Sequence, residues 1–174
     1  EIISIPLEGD LQHKDSMGNV AVIKEGDVQV MSAGTGIRHS EFNKNGDKEV
    51  KFLQIWLFPR AKNVAPRYDQ ISIDKVAQPN EFYQILSPNP DDEGVWIHQD
   101  AWFHIGDIQQ GQSARYQLKK PGNGIYAFII DGAGVMEGLQ LARRDGLGIW
   151  DTNEVSFTAS ADAKVLLMEV PVTL

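Results

Sequence analysis

The segment from Gly26 to Asn43 is the part of this chain that most directly indicates its fold. It reads Gly-Asp-Val-Gln-Val-Met-Ser-Ala-Gly-Thr-Gly-Ile-Arg-His-Ser-Glu-Phe-Asn. Apolar and polar residues alternate from Val28 to Val30, as they do in a half-buried strand, and a glycine-rich bend follows. The bend leads to His39 on a second short strand. The segment therefore predicts two β-strands joined by a bend in which the backbone comes close to a site.

Short apolar runs bounded by turn residues also occur on both sides of this segment. Several are rich in β-branched and aromatic residues and end at a proline. The spacing of the turns is typical of an all-β sandwich or barrel, and no stretch longer than about 10 residues has convincing helical periodicity. The clearest runs are residues 3–7, 52–58, 126–130 and 165–170.

The order of strands, glycine turns and a final proline-terminated strand occurs twice along the chain. This repetition suggests two copies of one β unit. We predict an N-terminal unit at residues 1–60, a linker at 61–80 and a C-terminal unit at 81–174. Prolines in the linker indicate irregular chain with one short helical turn within 66–73. Beyond the linker we expect strands near 96–107 and 114–118.

Composition excludes several classes of function. The chain has 174 residues, 16 Lys+Arg against 24 Asp+Glu and a net charge of −8, so direct nucleic-acid binding is disfavoured. It has no cysteine, which excludes disulfides, thiolate metal sites and cysteine nucleophiles. No apolar run approaches about 18 residues and no signal-peptide pattern is present, so we expect a cytoplasmic protein without membrane spans.

With no cysteine, a transition-metal site has to use the 4 histidines together with carboxylates. His39 and Glu41 are two positions apart, so on a strand they point to the same face. An imidazole and a carboxylate on one face are two ligands for a divalent metal, and His13 on the preceding hairpin is a further candidate. The alternative is that His39 and Glu41 are a solvent-facing polar pair.

The remaining histidines are weaker candidates. His98 and His104 would share a face on a straight strand, but their aromatic and apolar neighbours favour core packing. From Ile105 to Leu174 the chain has no histidine. We therefore expect no histidine-based metal site in the C-terminal unit, which would serve to cover a sheet edge and bury apolar surface.

Four motifs carry a resemblance to a known family. They are Leu7-Glu8-Gly9, the run from His13 to Asn19, the run from Met31 to Glu41 and Leu53-Gln54-Ile55-Trp56. With these motifs the chain resembles the pirin family of two-domain cupins, and in particular the bacterial pirin-like proteins with quercetin 2,3-dioxygenase activity. The resemblance implies an all-β bicupin of two tandem cupin-type barrels or sandwiches, with the metal in the N-terminal one.

The resemblance also implies a ligand set. The family binds one metal, usually iron, through three histidines and one glutamate, and two of these ligands match His39 and Glu41. The other two come from a His-x-His motif, and Glu1 matches the glutamate that follows that motif. The implied motif would lie upstream of Glu1, so we expect the N-terminal cupin to lack its first strands here. We expect Fe(II), with Mn, Ni, Cu or Zn as alternatives.

The function implied by the resemblance is that of a dioxygenase, an oxidoreductase acting on flavonols such as quercetin with dioxygen. Glu41 would be the general base. His13, Met31, Ile37 and Phe42 are candidates for the pocket wall, although core packing explains the three apolar residues equally well. Two alternatives stay open. One is a metal-dependent, redox-sensing regulator that binds protein partners, and the other is that this chain by itself is metal-free and inactive.

Overall fold

A computed structural model describes residues 1–172 of the chain. Those residues are mostly β-strand, with one short 3₁₀ helix, η1, among them, so the all-β prediction is confirmed. No helix in this range is long and apolar enough to cross a bilayer. The elements are β1 (Ile2–Glu8), β2 (Leu11–Asp15), β3 (Val20–Ile23), β4 (Asp27–Ser32), β5 (His39–Asn43), β6 (Lys51–Trp56), β7 (Arg67–Ser72), η1 (Ile73–Lys75), β8 (Phe82–Ser87), β9 (Val95–Trp96), β10 (Trp102–Ile108), β11 (Ser113–Gln117), β12 (Asn123–Met136), β13 (Leu139–Ala142), β14 (Gly146–Ile149) and β15 (Glu154–Pro171).

The chain forms two compact units. The first contains Glu1–Lys75 and Pro88–Gln99, and the second contains Val76–Ser87 and the chain from Asp100 onward. Neither unit is continuous in sequence: Val76–Ser87 belongs to the second unit, and Pro88–Gln99, which follows it, belongs to the first. The domain bounds inferred from the sequence, 1–60, 61–80 and 81–174, remain a prediction.

The first unit is built from two antiparallel sheets. One has the strand order β6-β1-β4-β7 and the other β3-β2-β5. In the first of these sheets, Ser4 is paired with Gln29 on one side and Gln54 on the other. Paired residues point to the same face, so these side chains form a polar row across the sheet. Ile3 and Val30, which are also paired, lie on the opposite face.

The second unit contains a sheet with the order β13-β12-β15-β10-β8, in which β11 also pairs with β15 and β14 with β12. The long strands β12 and β15 pair along most of their length. A Cβ atom on Gly134 would lie 2.2 Å from the ring of Phe157, so glycine is required for this close packing. The hydrophobic core cluster of this unit consists of Ile108, Ala114, Tyr116, Ile125, Ala127, Ile129, Met136, Leu141, Val155, Phe157, Ala159, Ala163, Val165 and Leu167.

The segment at residues 66–73 differs from the sequence-based expectation. A helical turn was expected there, but Arg67–Ser72 forms strand β7, which pairs with β4 from Asp27↔Ser72 to Ser32↔Arg67. The 3₁₀ helix follows it at Ile73–Lys75. The strand has no apolar alternation because Tyr68 and Gln70 are paired with Met31 and Gln29 on the face that carries the polar row. Because the side chains of β7 are mostly polar, hydrophobic alternation does not predict this strand.

Candidate metal site

Two antiparallel strands of the first unit, β2 and β5, bring several polar side chains onto one face. The register pairs His13 with Glu41 and Asp15 with His39. Residues two apart on a strand share a face, and directly paired residues point the same way. The His39 and Glu41 pair predicted from the sequence therefore shares its face with His13 and Asp15.

The turn after β2 determines the position of the Asp15 carboxylate. Its Oδ1 accepts hydrogen bonds from the backbone N–H groups of Met17 at 2.9 Å and Asn19 at 3.1 Å. Its Oδ2 accepts one from Nδ2 of Asn19 at 2.8 Å. Aspartate suits such a turn because its short side chain reaches the N–H groups that follow it. The same Oδ2 lies 3.1 Å from Nε2 of His13, so the turn also orients that imidazole.

His13 lies fully buried on this face. Its Nδ1 has no hydrogen-bond partner among the described residues and lies 3.9 Å from Oε1 of Glu41. Its ring stacks on that of His39 with centroids 5.8 Å apart, and it tilts against Tyr68 with centroids 4.9 Å apart. Burial by itself lowers the pKa of His13, but the carboxylates of Glu41 and Asp15 outweigh burial, so the pKa is raised.

The carboxylate of Glu41 is held by donors from the four-stranded sheet. Its Oε1 accepts a hydrogen bond from Oγ of Ser4 at 3.1 Å, and its Oε2 accepts one from Nε2 of Gln54 at 2.6 Å. Burial raises the pKa of Glu41, but His13, Ser4 and His39 lower it by more, so the pKa is below its usual value. Glu41 is therefore anionic at neutral pH and can act as a metal ligand or a general base.

The donors present fit a divalent metal. An imidazole with a carboxylate suits iron, nickel, copper or zinc, and His39 and Glu41 present these two groups side by side. His39 is exposed. Within residues 1–172, no group of three or more His, Asp or Glu side chains forms a metal site on its own. His39 and Glu41 as metal donors therefore stay a prediction, with two groups of suitable chemistry on one strand.

The predicted pocket residues are only partly brought together. Met31 is buried and paired with Tyr68 on the site side of the four-stranded sheet. Ile37 is half-buried in the loop before β5. Phe42 is 48% exposed, and because it directly follows Glu41 on a strand, it points to the opposite face. Strand alternation therefore removes Phe42 from the site.

An apolar cavity of about 210 Å³ lies in the first unit at the end of strand β6. Ile2, Ala33, Trp56, Leu57 and Phe58 are among the residues that line it. The indole Nε1 of Trp56 donates a hydrogen bond to Oε1 of Gln54 at 3.0 Å. Since Gln54 in turn bonds to Glu41, the cavity wall is connected to the carboxylate by two hydrogen bonds.

The other two histidines do not share a strand, contrary to the sequence-based expectation. Strand β9 ends at Trp96 and β10 begins at Trp102, so His98 lies between them and its ring contacts that of Trp96. His104 is 4% exposed, and its ring lies 4.5 Å from that of Tyr116, centroid to centroid. Burial lowers the pKa of His104 to about 3, so it stays neutral. His104 is therefore packed in the core of the second unit, as its apolar neighbours in the sequence indicated.

Sequence reasoning missed Ser4, Gln54 and Tyr68. Ser4 stands between Ile3 and Ile5, and Gln54 interrupts the apolar run from Phe52 to Trp56. A single polar residue among apolar neighbours is the one signal that could have drawn attention to both. Tyr68 had no such signal, because its strand lacks an apolar pattern.

Replacing Gly34 by alanine tests the bend before His39. Gly34 has φ of 53°, and a Cβ atom there would lie 2.1 Å from the carbonyl oxygen of Val64. We expect a loss of about 1–3 kcal/mol in the free energy of unfolding, because the bend must adopt a conformation and spacing that alanine does not tolerate. Urea unfolding measures it. Gly46→Ala is the control, since nothing lies within 4 Å of its added Cβ. Equal stability of the two variants would contradict the argument.

Asp15 should make stability depend on acid pH. Burial raises its pKa, but hydrogen bonds from Asn19, His13 and Met17 outweigh burial and lower the pKa from 3.8 to about 2. Because the folded-state pKa is the lower one, the stabilisation is complete above about pH 5 and is lost as pH falls toward about 2. The expected loss is about 2 kcal/mol.

Unfolding free energies at the two pH values, for the unchanged chain and for Asp15→Asn, measure this contribution. Asp15→Asn should reduce the decrease by about 2 kcal/mol, whereas the exposed control Asp47→Asn should leave it unchanged. The same acid dependence in both variants would show that Asp15 is not the responsible group.

The fold and the site together define a cupin-type β protein: antiparallel sheets with a histidine and a glutamate presented on one strand. The chain belongs to the pirin family. Residues 1–57 match the family model of pirin, and residues 84–170 match that of the quercetinase C-terminal cupin domain.

Curated relatives and solved structures agree with this assignment. The chain is 34% identical over 171 residues to a quercetin 2,3-dioxygenase of Escherichia coli (strain K12), covering 98% of this chain and 72% of the relative. A putative quercetin 2,3-dioxygenase of Pseudomonas aeruginosa is 38% identical over 173 residues, covering 98% and 73%. The crystal structure of E. coli YhhW superposes with a TM-score of 0.91 at 32% identity, covering 98% and 71%. A second structure, of bacterial pirin YhhW in complex with nickel(II), has a TM-score of 0.90 at 32% identity, covering 98% and 72%.

Proposed function

We propose that the protein is a metal-dependent dioxygenase that opens flavonols such as quercetin, with His39 and Glu41 among the donors to one divalent metal. The observation that carries this proposal is the carboxylate of Glu41, held on both oxygens and set beside His39 and His13. The relatives named as quercetin 2,3-dioxygenases support the reaction class, and the nickel(II) complex of YhhW supports a divalent metal.

A divalent metal bound by these donors would supply a Lewis acid for the substrate oxygen and for dioxygen. His39 would bind it through a ring nitrogen. Glu41 would take the proton of the flavonol 3-hydroxyl on a carboxylate oxygen, which its lowered pKa keeps free of a proton at neutral pH. Dioxygen then adds across the heterocyclic ring. Both of its oxygen atoms stay in the opened product, and one carbon leaves as carbon monoxide.

The apolar cavity beside Trp56 fits a substrate of this class. Its aromatic and aliphatic side chains could pack against the flat ring system of a flavonol. It lies within two hydrogen bonds of the Glu41 carboxylate. No observation favours the alternative of a regulator that binds protein partners.

The test is anaerobic mixing with quercetin followed by oxygen. Chain loaded with Fe(II) or Ni(II) should consume quercetin, seen as loss of its absorbance together with release of carbon monoxide. Metal-free chain is the control for spontaneous oxidation, and the E. coli relative loaded in the same way is the positive control. An active relative beside a loaded but inactive chain would overturn the proposal for this chain.

A further inference from the structure

The side-chain amide of Gln54 connects Glu41 to the exposed indole of Trp56. Its Nε2 donates to Oε2 of Glu41 at 2.6 Å, and its Oε1 accepts from Nε1 of Trp56 at 3.0 Å. Gln54 and Trp56 are two residues apart on β6, so both point to the face that carries Ser4. The NH₂ end of Gln54 thus contacts the candidate metal site, and its oxygen end contacts Trp56 in the wall of the apolar cavity.

The two partners of Gln54, Glu41 and Trp56, permit only one orientation of its amide. A carboxylate only accepts hydrogen bonds, and an indole N–H only donates them. A reversed amide would set its oxygen against the carboxylate of Glu41 and its NH₂ group against the N–H of Trp56. Trp56 therefore keeps the NH₂ end of Gln54 turned toward Glu41.

We propose that Gln54 is a positioning residue for Glu41 and that Trp56 fixes its orientation. This inference rests on the proposed function, because it is there that Glu41 acts as ligand and base. Ser4 from β1 holds Oε1 while Gln54 from β6 holds Oε2, so two strands define the plane of the carboxylate. The carboxylate then meets a metal and a substrate proton in one orientation. Outer partners of this kind change metal affinity or activity by about 10–100-fold.

Two substitutions separate the two roles. Gln54→Met keeps the length of the side chain and removes both polar ends, whereas Trp56→Phe keeps an aromatic ring and removes only the N–H donor. Matched controls lie in the second unit. Gln140 is exposed on β13, and Trp150 is 65% exposed, so Gln140→Met and Trp150→Phe repeat the same chemical changes away from the site.

The first readout is affinity for Ni²⁺, measured by competition with a chelator. Gln54→Met should raise the dissociation constant by about 10–100-fold. Trp56→Phe should raise it by about 3–10-fold, because the amide loses its orienting partner but can still donate to Glu41. Both controls should stay within about twofold of the unchanged chain. Gln54→Met with the affinity of its control would overturn the proposal.

The second readout is spectroscopic and requires neither metal nor activity. The indole N–H of Trp56 should exchange with solvent more slowly than that of Trp150, and Gln54→Met should abolish the difference. The side-chain carboxyl carbon signal of Glu41 should shift in Gln54→Met but not in Gln140→Met. Equal exchange of the two indoles in the unchanged chain would overturn the proposal. If the unchanged chain binds no Ni²⁺, the proposed metal function fails, while these two signals still decide whether Gln54 positions Glu41.

Discussion

Replacement of Glu169 by alanine is expected to lower the free energy of unfolding by about 3–5 kcal/mol, because removing a buried charged partner leaves its donors unpaired. Glu169 is fully buried in the second unit. Its Oε2 accepts from Tyr116 Oη at 2.6 Å and from the Lys119 N–H at 2.8 Å. Its Oε1 accepts from the Lys120 N–H and from Nδ2 of Asn123, both at 2.9 Å.

This carboxylate holds the loop between β11 and β12 against the sheet, since three of its donors lie at residues 119–123. Alanine leaves these donors buried without an acceptor. Glutamine keeps the shape but sets an NH₂ group against them, so Glu169→Gln should be intermediate in stability. Urea unfolding gives the size of the loss. Hydrogen exchange of the Lys119 and Lys120 amides shows where it arises, because both should exchange faster in Glu169→Ala.

Glu154→Ala is the matched control on the same strand. The Glu154 side chain is 54% exposed, and its carboxylate lies 4.0 Å from Arg115, a surface ion pair of small value. We expect a change within about 0.5 kcal/mol. If Glu169→Ala cost no more than Glu154→Ala, the loop would not depend on the buried carboxylate.

The second large effect concerns the proposed reaction. Glu41→Gln should reduce turnover of quercetin by about 10²–10⁴-fold, the usual contribution of a general base. An amide accepts no proton at neutral pH, and its NH₂ group would face one of the two donors that now hold the carboxylate, Ser4 or Gln54. Metal affinity should fall as well, because an anionic ligand is replaced by a neutral one.

A measurement that does not depend on activity accompanies this prediction. The carboxylate of Glu41 contributes to the raised pKa of His13, so Glu41→Gln should lower that pKa, which an NMR titration of the His13 ring detects. Glu49→Gln is the control, since its side chain is 79% exposed and forms a surface ion pair with Lys51. Turnover and His13 titration that match the control would show that Glu41 is neither the base nor the electrostatic partner of His13.

Local pattern was sufficient for much of the fold. The period of two in residues 3–7 and the apolar run at 52–58 correspond to strands β1 and β6. The same period placed His39 and Glu41 on one face of β5, as expected from their spacing. The same alternation places Phe42, which directly follows Glu41, on the opposite face. Where the pattern was absent, as in β7, the strand was missed because its side chains face a polar interior.

The sequence by itself determined which residue types are available to this protein. Without cysteine, thiolate metal sites are excluded, and histidine with carboxylate is the donor combination that the sequence favours for a transition metal. The spacing of His39 and Glu41 was enough to place them on one face, and the resemblance of the surrounding motifs to pirins was enough to predict the family. These properties are local, because they depend on residues only a few positions apart.

Only the tertiary structure decided what surrounds those donors. Ser4 and Gln54 reach Glu41 from strands 37 and 13 residues away in sequence, and His13 faces it through the register of β2 with β5. A shift of one residue in that register would turn His13 to the opposite face. Register between distant strands depends on the packing of a whole sheet and its turns, and for this reason no local pattern contains it.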